Sequence, residues 1–108
     1  MVNISTILGR IELVSGETIL GEFKAGITTV NHTVVTSKRV VVANTNRIGT
    51  NLSYRSIPLR SILSVDLQID KKLMGDVFLN TLSGQVECHV YDSKSAEKLY
   101  NMLMKLLI

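Results

Sequence analysis

A chain of 108 residues has the length of a single domain and can bury a core without disulfide cross-links. Its one cysteine, Cys88, excludes an intrachain disulfide and a cysteine-based zinc site, and it favours a reducing compartment. A formal net charge of +3, spread over scattered lysines and arginines, gives only a slight preference for acidic partners. The sequence has no apolar run near the ~20 residues of a membrane span and no signal-peptide pattern. We therefore expect one domain over residues 1–108, located in the cytoplasm.

The first segment, residues 1–15, carries a helical pattern. Its apolar residues recur at helical spacing and are Ile4, Ile7, Leu8, Ile11 and Val14. Gly16 follows, and glycine is typical of the position just past the end of a helix. The sequence therefore predicts a short N-terminal helix.

Residues 16–91 predict seven strands with short connections. The predicted strands are 18–25, 29–36, 39–44, 52–57, 62–69, 76–82 and 85–91. The clearest period-2 alternation lies in the fifth, with one wet face and one apolar face formed by Leu63, Val65, Leu67 and Ile69. Pro58, the only proline, ends the fourth strand or lies at its edge.

Residues 92–108 predict a C-terminal amphipathic helix. Asp92 or Ser93 is a plausible N-cap, and apolar residues then follow at helical spacing. Met102, Met104 and Ile108 widen the apolar side beyond a single stripe. We therefore name these three residues as candidates for self-association through this helix.

This order of elements predicts a mainly β (α+β) fold. Seven antiparallel strands leave open edges, and a terminal amphipathic helix can cap a strongly bent sheet or partial barrel. Several segments, in this order, resemble the bacterial pleckstrin-homology (PH)-like family. They are 16–20 (GETIL), 35–42 (VTSKRVVV), 54–58 (YRSIP), 83–87 (SGQVE) and 96–100 (AEKLY).

The resemblance implies a non-catalytic domain that often associates into homo-oligomeric rings. Eukaryotic PH domains that bind phosphoinositides carry several basic residues around the first hairpin. Here that hairpin offers only Lys24, and Arg39 opens the next strand. A second resemblance, over residues 13–23, is to the start of Sm-like domains. It implies a five-stranded domain that assembles into RNA-binding rings.

No catalytic, cofactor or metal site is predicted. The sequence has none of the nucleophile, phosphate-loop or paired-carboxylate motifs of common enzymes. His32 and His89 are interpreted as ordinary strand residues, because no third metal ligand has a suitable spacing. Cys88 lies between Val86 and Val90 on the inward side of a strand, which predicts a buried structural thiol.

Five basic residues are candidates for binding an anion or a partner. Lys24, Lys38 and Arg39 are predicted to converge near the first hairpins, and the alternative is a solvated rim. Lys71 and Lys72 lie in a loop beside two apolar residues, which suits a membrane surface or a partner, and the alternative is a solvated loop.

Three functions follow from these observations. The first is a self-associating interaction module that recruits a protein partner. The second is a module that binds an anionic head group or another acidic ligand. The third is the Sm-like RNA-binding ring, although five scattered aromatic residues disfavour binding to nucleic acid. No small-molecule substrate is expected.

Overall fold

The computed structural model describes residues 12–25, 30–45, 52–70, 75–90 and 92–108. It contains the seven predicted strands and the C-terminal helix, each beginning and ending close to the predicted positions. The strands are β1 (Ile19–Ala25), β2 (Val30–Thr36), β3 (Arg39–Thr45), β4 (Leu52–Pro58), β5 (Ile62–Ile69), β6 (Gly75–Thr81) and β7 (Gly84–Val90). The helix is α1 (Ser93–Leu107).

The strands form two antiparallel sheets. Sheet A has the order β1-β2-β3-β4, and sheet B has the order β5-β6-β7. A single 3-10 turn, Leu59–Ser61, carries the chain from sheet A into sheet B directly after Pro58. Proline has no N–H with which to continue a ladder, so the strand ends there. The amide of Leu59 instead donates to the carbonyl of Lys38 at 3.0 Å, which fixes the start of the crossover.

The core lies between the two sheets and is closed by α1. Helix residues Ala96, Leu99 and Leu103 lie on one face of α1 and are fully buried. They belong to one apolar cluster whose members from the sheets are Phe23, Val35, Val40, Val42, Ile57, Ile62, Val65, Val77, Leu79, Val86, Cys88 and Val90. Among the described helices, none is long and apolar enough to cross a membrane.

The two central strands of sheet A are buried on both faces. Val35 and Val40 face the central cluster. Their neighbours Val34, Val41 and Ala43 point to the other side of the sheet and are also almost fully buried. This explains the nearly continuous run of β-branched residues in β3, because a strand that is buried on both sides has no wet positions.

The predicted alternation in β5 is interrupted by a bulge. The pairing of β5 with β6 shifts between Ile62 and Ser64, and this places Ile62 in the core. Leu63 is consequently 62% exposed, although it was predicted to share the apolar face with Val65. The extra residue of a bulge reverses the facing of the residues before it, so the alternation holds only after the bulge. Ile69, at the end of the strand, is 38% exposed.

The N-terminal helix is not present at residues 12–14. The turn at Ser15 and Gly16 follows directly, with Gly16 at a φ of +78° that suits glycine. Backbone groups here bond to distant or non-helical partners, because Val14 N–H binds Glu17 and the Glu12 carbonyl accepts from Arg39. The rest of the predicted helix lies outside the described residues.

Candidate functional site

One side of helix α1 forms an open groove of about 600 Å³, which we call the helix groove. It is lined by Lys94, Lys98 and Lys105 together with the half-buried apolar side chains of Met102 and Leu106. The groove lies on the outer side of α1, because the opposite face of the helix is buried in the core.

Asp92 fixes the start of the helix. Its carboxylate accepts a hydrogen bond of 2.7 Å from the backbone N–H of Ser95, as expected for an N-cap. This hydrogen bond lowers the pKa of Asp92. The cap confirms one of the two predicted N-cap residues and sets the rotational position of the lysines.

The helix groove combines positive charge with apolar surface. Among the described residues that line it, three lysines are accompanied by one carboxylate, that of Glu97. Of the predicted self-association residues, Met102 and Met104 are both half-buried against the core, Met102 also lines the groove, and Ile108 is 99% exposed beyond the last turn. A surface of this kind suits an acidic partner that also buries apolar area.

The outer side of sheet B carries the opposite charge, and we call it the acidic face. It consists of Asp66, Asp76, Phe78, Glu87 and His89. Residues of β6 alternate between buried and half-buried, so Asp76 and Phe78 point outward. Strand register places Asp66 and Glu87 on either side of Phe78, and His89 opposite Asp76. A shallow depression of about 440 Å³ lies beside Phe78.

Hydrogen bonds across the strands hold one end of the acidic face in place. The side-chain amide of Asn80 donates to Asp66 Oδ2 at 2.9 Å and to Ser64 Oγ at 3.0 Å. The amide of Gln85 donates to Asn80 Oδ1 at 2.9 Å. These bonds link all three strands of sheet B on their wet side.

At the other end, His89 lies between two carboxylates. Its Nδ1 is 2.6 Å from Asp76 Oδ1, and its Nε2 is 3.6 Å from Glu87 Oε2. One ligand atom from each of the three residues lies within 4.8 Å of the others. From the sequence, His89 is interpreted as an ordinary strand residue, and alternation places Glu87 on the same side of its strand. Asp76 joins them only through the β6–β7 register, which the sequence does not show.

The helix groove and the acidic face point in opposite directions. Helix α1 and the inward residues of sheet B, including Val77 and Leu79, share one apolar cluster. The acidic residues occupy the alternate positions of the same strands and so point away from α1. The exposed lysines of the groove lie on the side of α1 that faces away from that cluster, and Met102 and Leu106 form the border between the groove and the cluster. The two charged surfaces therefore lie on the two outer sides of the layer formed by α1 and sheet B.

Arg39, predicted as part of an anion site, is engaged within the domain. Its Nε donates to Glu17 Oε2 at 2.8 Å, and one terminal nitrogen donates to Glu17 Oε1 at 3.2 Å and to the Glu12 carbonyl at 2.8 Å. The other terminal nitrogen donates to Ser56 Oγ at 3.0 Å. Because the charge of Glu17 neutralises that of Arg39, this guanidinium exerts little net electrostatic attraction on an external anion.

Glu17 is the buried member of this pair. Burial alone would raise the pKa of Glu17, but hydrogen bonds from Arg39, Thr36 and the amide of Val14 outweigh it and lower the pKa to about 2. The Thr36 hydroxyl donates to the same carboxylate at 2.5 Å. The carboxylate therefore stays charged at neutral pH. Its hydrogen bonds to Thr36 and Arg39 link the segment before β1 to the β2–β3 turn.

The other predicted basic residues do not gather at one place among the described residues. Lys38 lies at the β2–β3 turn, where its Nζ donates to the Ser15 carbonyl at 3.0 Å. The turn is next to the Ile19 end of β1, and Lys24 is about 17 Å further along that strand at 3.3 Å per residue. Lys71 and Lys72 lie outside the described residues, so that part of the prediction stays a prediction.

Solved structures show similarity over nearly the whole chain. A pleckstrin-homology domain from Shewanella amazonensis SB2B aligns with 99% of this chain and 90% of its own length, at a TM-score of 0.76 and 15% identity. A DUF1696 family protein with a pleckstrin-homology domain from Shewanella loihica PV-4 aligns with 99% of this chain and 95% of its own length, at 0.70 and 14%. The hSac2 domain of the human phosphoinositide phosphatase Sac2 aligns with 95% of this chain and 79% of its own length, at 0.67 and 10%.

No protein-family model matches the sequence, and no curated protein does. At 10–15% identity the similarity to these structures shows the fold alone. The Sm-like alternative does not fit, since it required five strands and the described chain has seven followed by a helix. The chain therefore has the fold of pleckstrin-homology domains, as the resemblance predicted.

Proposed function

We propose that this domain is a non-catalytic interaction module that associates with copies of itself and recruits a protein partner. The observation that carries the proposal is the pair of oppositely charged surfaces on the two sides of the α1–sheet B layer. The helix groove of one copy receives the acidic face of the next. Half-buried Met102 in the groove and Phe78 on the face supply apolar contact at the centre.

Such a contact is heterologous, because it joins two different surfaces. After two copies associate, one copy still has an unused face and the other an unused groove, so association continues until a ring closes or a filament forms. Opposite charges raise the rate of association and fix its register, and screening by salt weakens them when they are exposed.

The experiment is size-exclusion chromatography with light scattering at micromolar concentration in low salt. We expect a mass above that of the monomer, which decreases in 0.5 M NaCl. Lys98→Glu should shift the protein to monomer, while Arg55→Glu, an equal charge reversal on exposed β4, should not. A monomeric wild-type protein, or equal effects of the two variants, would contradict self-association through the groove.

A groove that is not occupied by another copy, on a single chain or at the end of an open assembly, recruits the protein partner. A partner segment that combines acidic and apolar side chains is complementary to this surface. Pull-downs from the native host with wild type and Lys98→Glu, followed by mass spectrometry, test this step. The partner should be enriched only by the wild type, and its binding segment should be acidic. Equal capture by both proteins would move the partner site elsewhere.

A second candidate function is binding to anionic head groups. Lys94, Lys98 and Lys105 lie along one side of α1, and fully exposed Ile108 follows at its end. The similar Sac2 domain comes from a phosphoinositide phosphatase. Flotation with vesicles containing 30% phosphatidylserine, at low and high salt, tests this candidate. Salt-sensitive binding that Lys98→Glu removes would support it, and absence of binding would exclude it.

A further inference from the structure

We propose that His89 and Glu87 bind a divalent transition-metal ion such as zinc on the outer side of sheet B, with Asp76 holding the His89 ring in position. Neither the fold similarity nor the proposed interaction function requires such a site. The three side chains come from adjacent positions of two paired strands, since Asp76 is opposite His89 and Glu87 is two residues before it on the same face.

The contact between Asp76 and His89 decides which ring nitrogen is available. An ionised carboxylate can only accept hydrogen bonds, so at 2.6 Å the Nδ1 of His89 must donate to Asp76 Oδ1. In the neutral imidazole, Nε2 then carries the lone pair. This is the arrangement in which a metal-binding histidine is held by a carboxylate behind it.

A second possible metal ligand lies close to Nε2. Glu87 Oε2 lies 3.6 Å from Nε2, which is too long for a hydrogen bond. An ion at the usual ~2.0–2.1 Å from both atoms would subtend an angle of about 120°, close to the tetrahedral preference of zinc. The separation therefore fits a bridging ion better than direct contact.

The donor set also indicates which ions bind. Imidazole nitrogen with one carboxylate oxygen favours zinc, copper or nickel over magnesium and calcium, which prefer oxygen ligands alone. The side chains of His89 and Glu87 are 46% and 45% exposed, so water can fill the remaining coordination positions. Exposure also leaves an open path for the ion.

The competing arrangement is a histidine carrying a proton on both nitrogens between two carboxylates. It needs no metal and would leave zinc without an Nε2 lone pair. The two arrangements make opposite predictions for zinc titration, and a direct binding measurement separates them.

The experiment is calorimetric titration of metal-stripped protein with Zn²⁺ at pH 7.5 in 0.3 M NaCl, where the contact between copies is screened. We expect one ion per chain, and saturable shifts of the His89 ring protons in NMR spectra, with His32 unchanged. His89→Gln should abolish binding. Asp76→Asn should weaken binding by about 10- to 100-fold, as removal of orienting partners does in known sites. Mg²⁺ should give no shift at the same concentration.

Two variants serve as controls. Asp66→Asn removes one charge from the same face without touching the donor atoms, so its zinc affinity should stay within about twofold of wild type. Lys98→Glu, which disrupts the proposed self-association, should also retain zinc binding, so failure of one proposal is distinguishable from failure of the other. Absence of zinc binding, binding that survives His89→Gln, or equal losses in Asp66→Asn and Asp76→Asn would overturn the inference.

Discussion

Glu17 shows how a residue can stabilise this fold through a partner that the local sequence does not indicate. Its carboxylate is buried, and three donors from Val14, Thr36 and Arg39 keep it charged. Arg39 is 22 positions away, and only the pairing of β1 with β2 and of β2 with β3 brings it near. The sequence indicated a basic residue at the start of a strand, but the partner that uses its charge follows from register.

Glu17→Gln should lower the free energy of unfolding by about 2 kcal/mol at pH 7, because charged hydrogen bonds are replaced by weaker neutral ones around a partly buried guanidinium. Urea denaturation measures the loss. Glu22→Gln, on the exposed side of β1, should change stability by less than about 0.5 kcal/mol.

The pH dependence of stability provides a second test at the same residue. The pKa of Glu17 falls from 4.5 to about 2 on folding, so its stabilisation is complete above pH 4.5 and is lost as the pH falls towards 2. Wild type should therefore lose stability over this window more steeply than Glu17→Gln. Parallel curves for the two proteins would contradict the assignment of a charged, buried Glu17.

Cys88 should be unreactive in the folded protein. Its side chain is fully buried, and burial raises the pKa of the thiol to about 12. Because the thiolate is the reactive form, labelling with a disulfide reagent at pH 8 should be at least about 100-fold slower in native than in denaturing buffer. Rapid labelling of the native protein would mean that the β7 strand opens readily.

At the scale of elements, α1 packs so closely on the sheets that a side chain added at either of two strand glycines would meet a helix residue. A Cβ at Gly75, the first residue of β6, would overlap the Cβ of buried Ala96 in the first turns of α1. A Cβ at Gly21 in β1 would lie 2.8 Å from Met102 Cε. The first obstacle is short and rigid, whereas the second is the end of a flexible side chain.

This difference predicts that replacing glycine by alanine lowers the stability of the protein more at position 75 than at position 21. Gly75→Ala should destabilise the protein by about 3 kcal/mol, since the helix must move away from β6. Gly21→Ala should cost no more than about 1 kcal/mol, because Met102 can change rotamer. Thermal unfolding by circular dichroism should show a decrease in Tm of at least about 10 °C for the first variant and under about 6 °C for the second. Equal decreases would mean that α1 approaches the two sheets less closely than described.

For the whole molecule, local pattern predicted the elements, whereas the sites depended on pairing. Hydrophobic period, turn residues and one proline were enough to place seven strands and the final helix, because each signal acts over a few residues. The bulge at Leu63 and the partner of Arg39 were missed, since both are properties of two strands together. The acidic face is a similar case, in which carboxylates from three strands converge only after sheet B forms.

A head-to-tail assembly makes a prediction that a two-fold contact does not. Lys98→Glu removes the groove and keeps the acidic face, whereas Phe78→Glu removes the apolar centre of the face and keeps the groove. Each variant alone should be monomeric, but an equimolar mixture should form a 1:1 heterodimer, because one intact groove then meets one intact face. The heterodimer should grow no further, since its two remaining surfaces both carry added negative charge and repel each other. In a two-fold contact these two altered surfaces would meet within every heterodimer, and mixing would not restore association. Light scattering of the separate and mixed variants at low salt decides between the two arrangements.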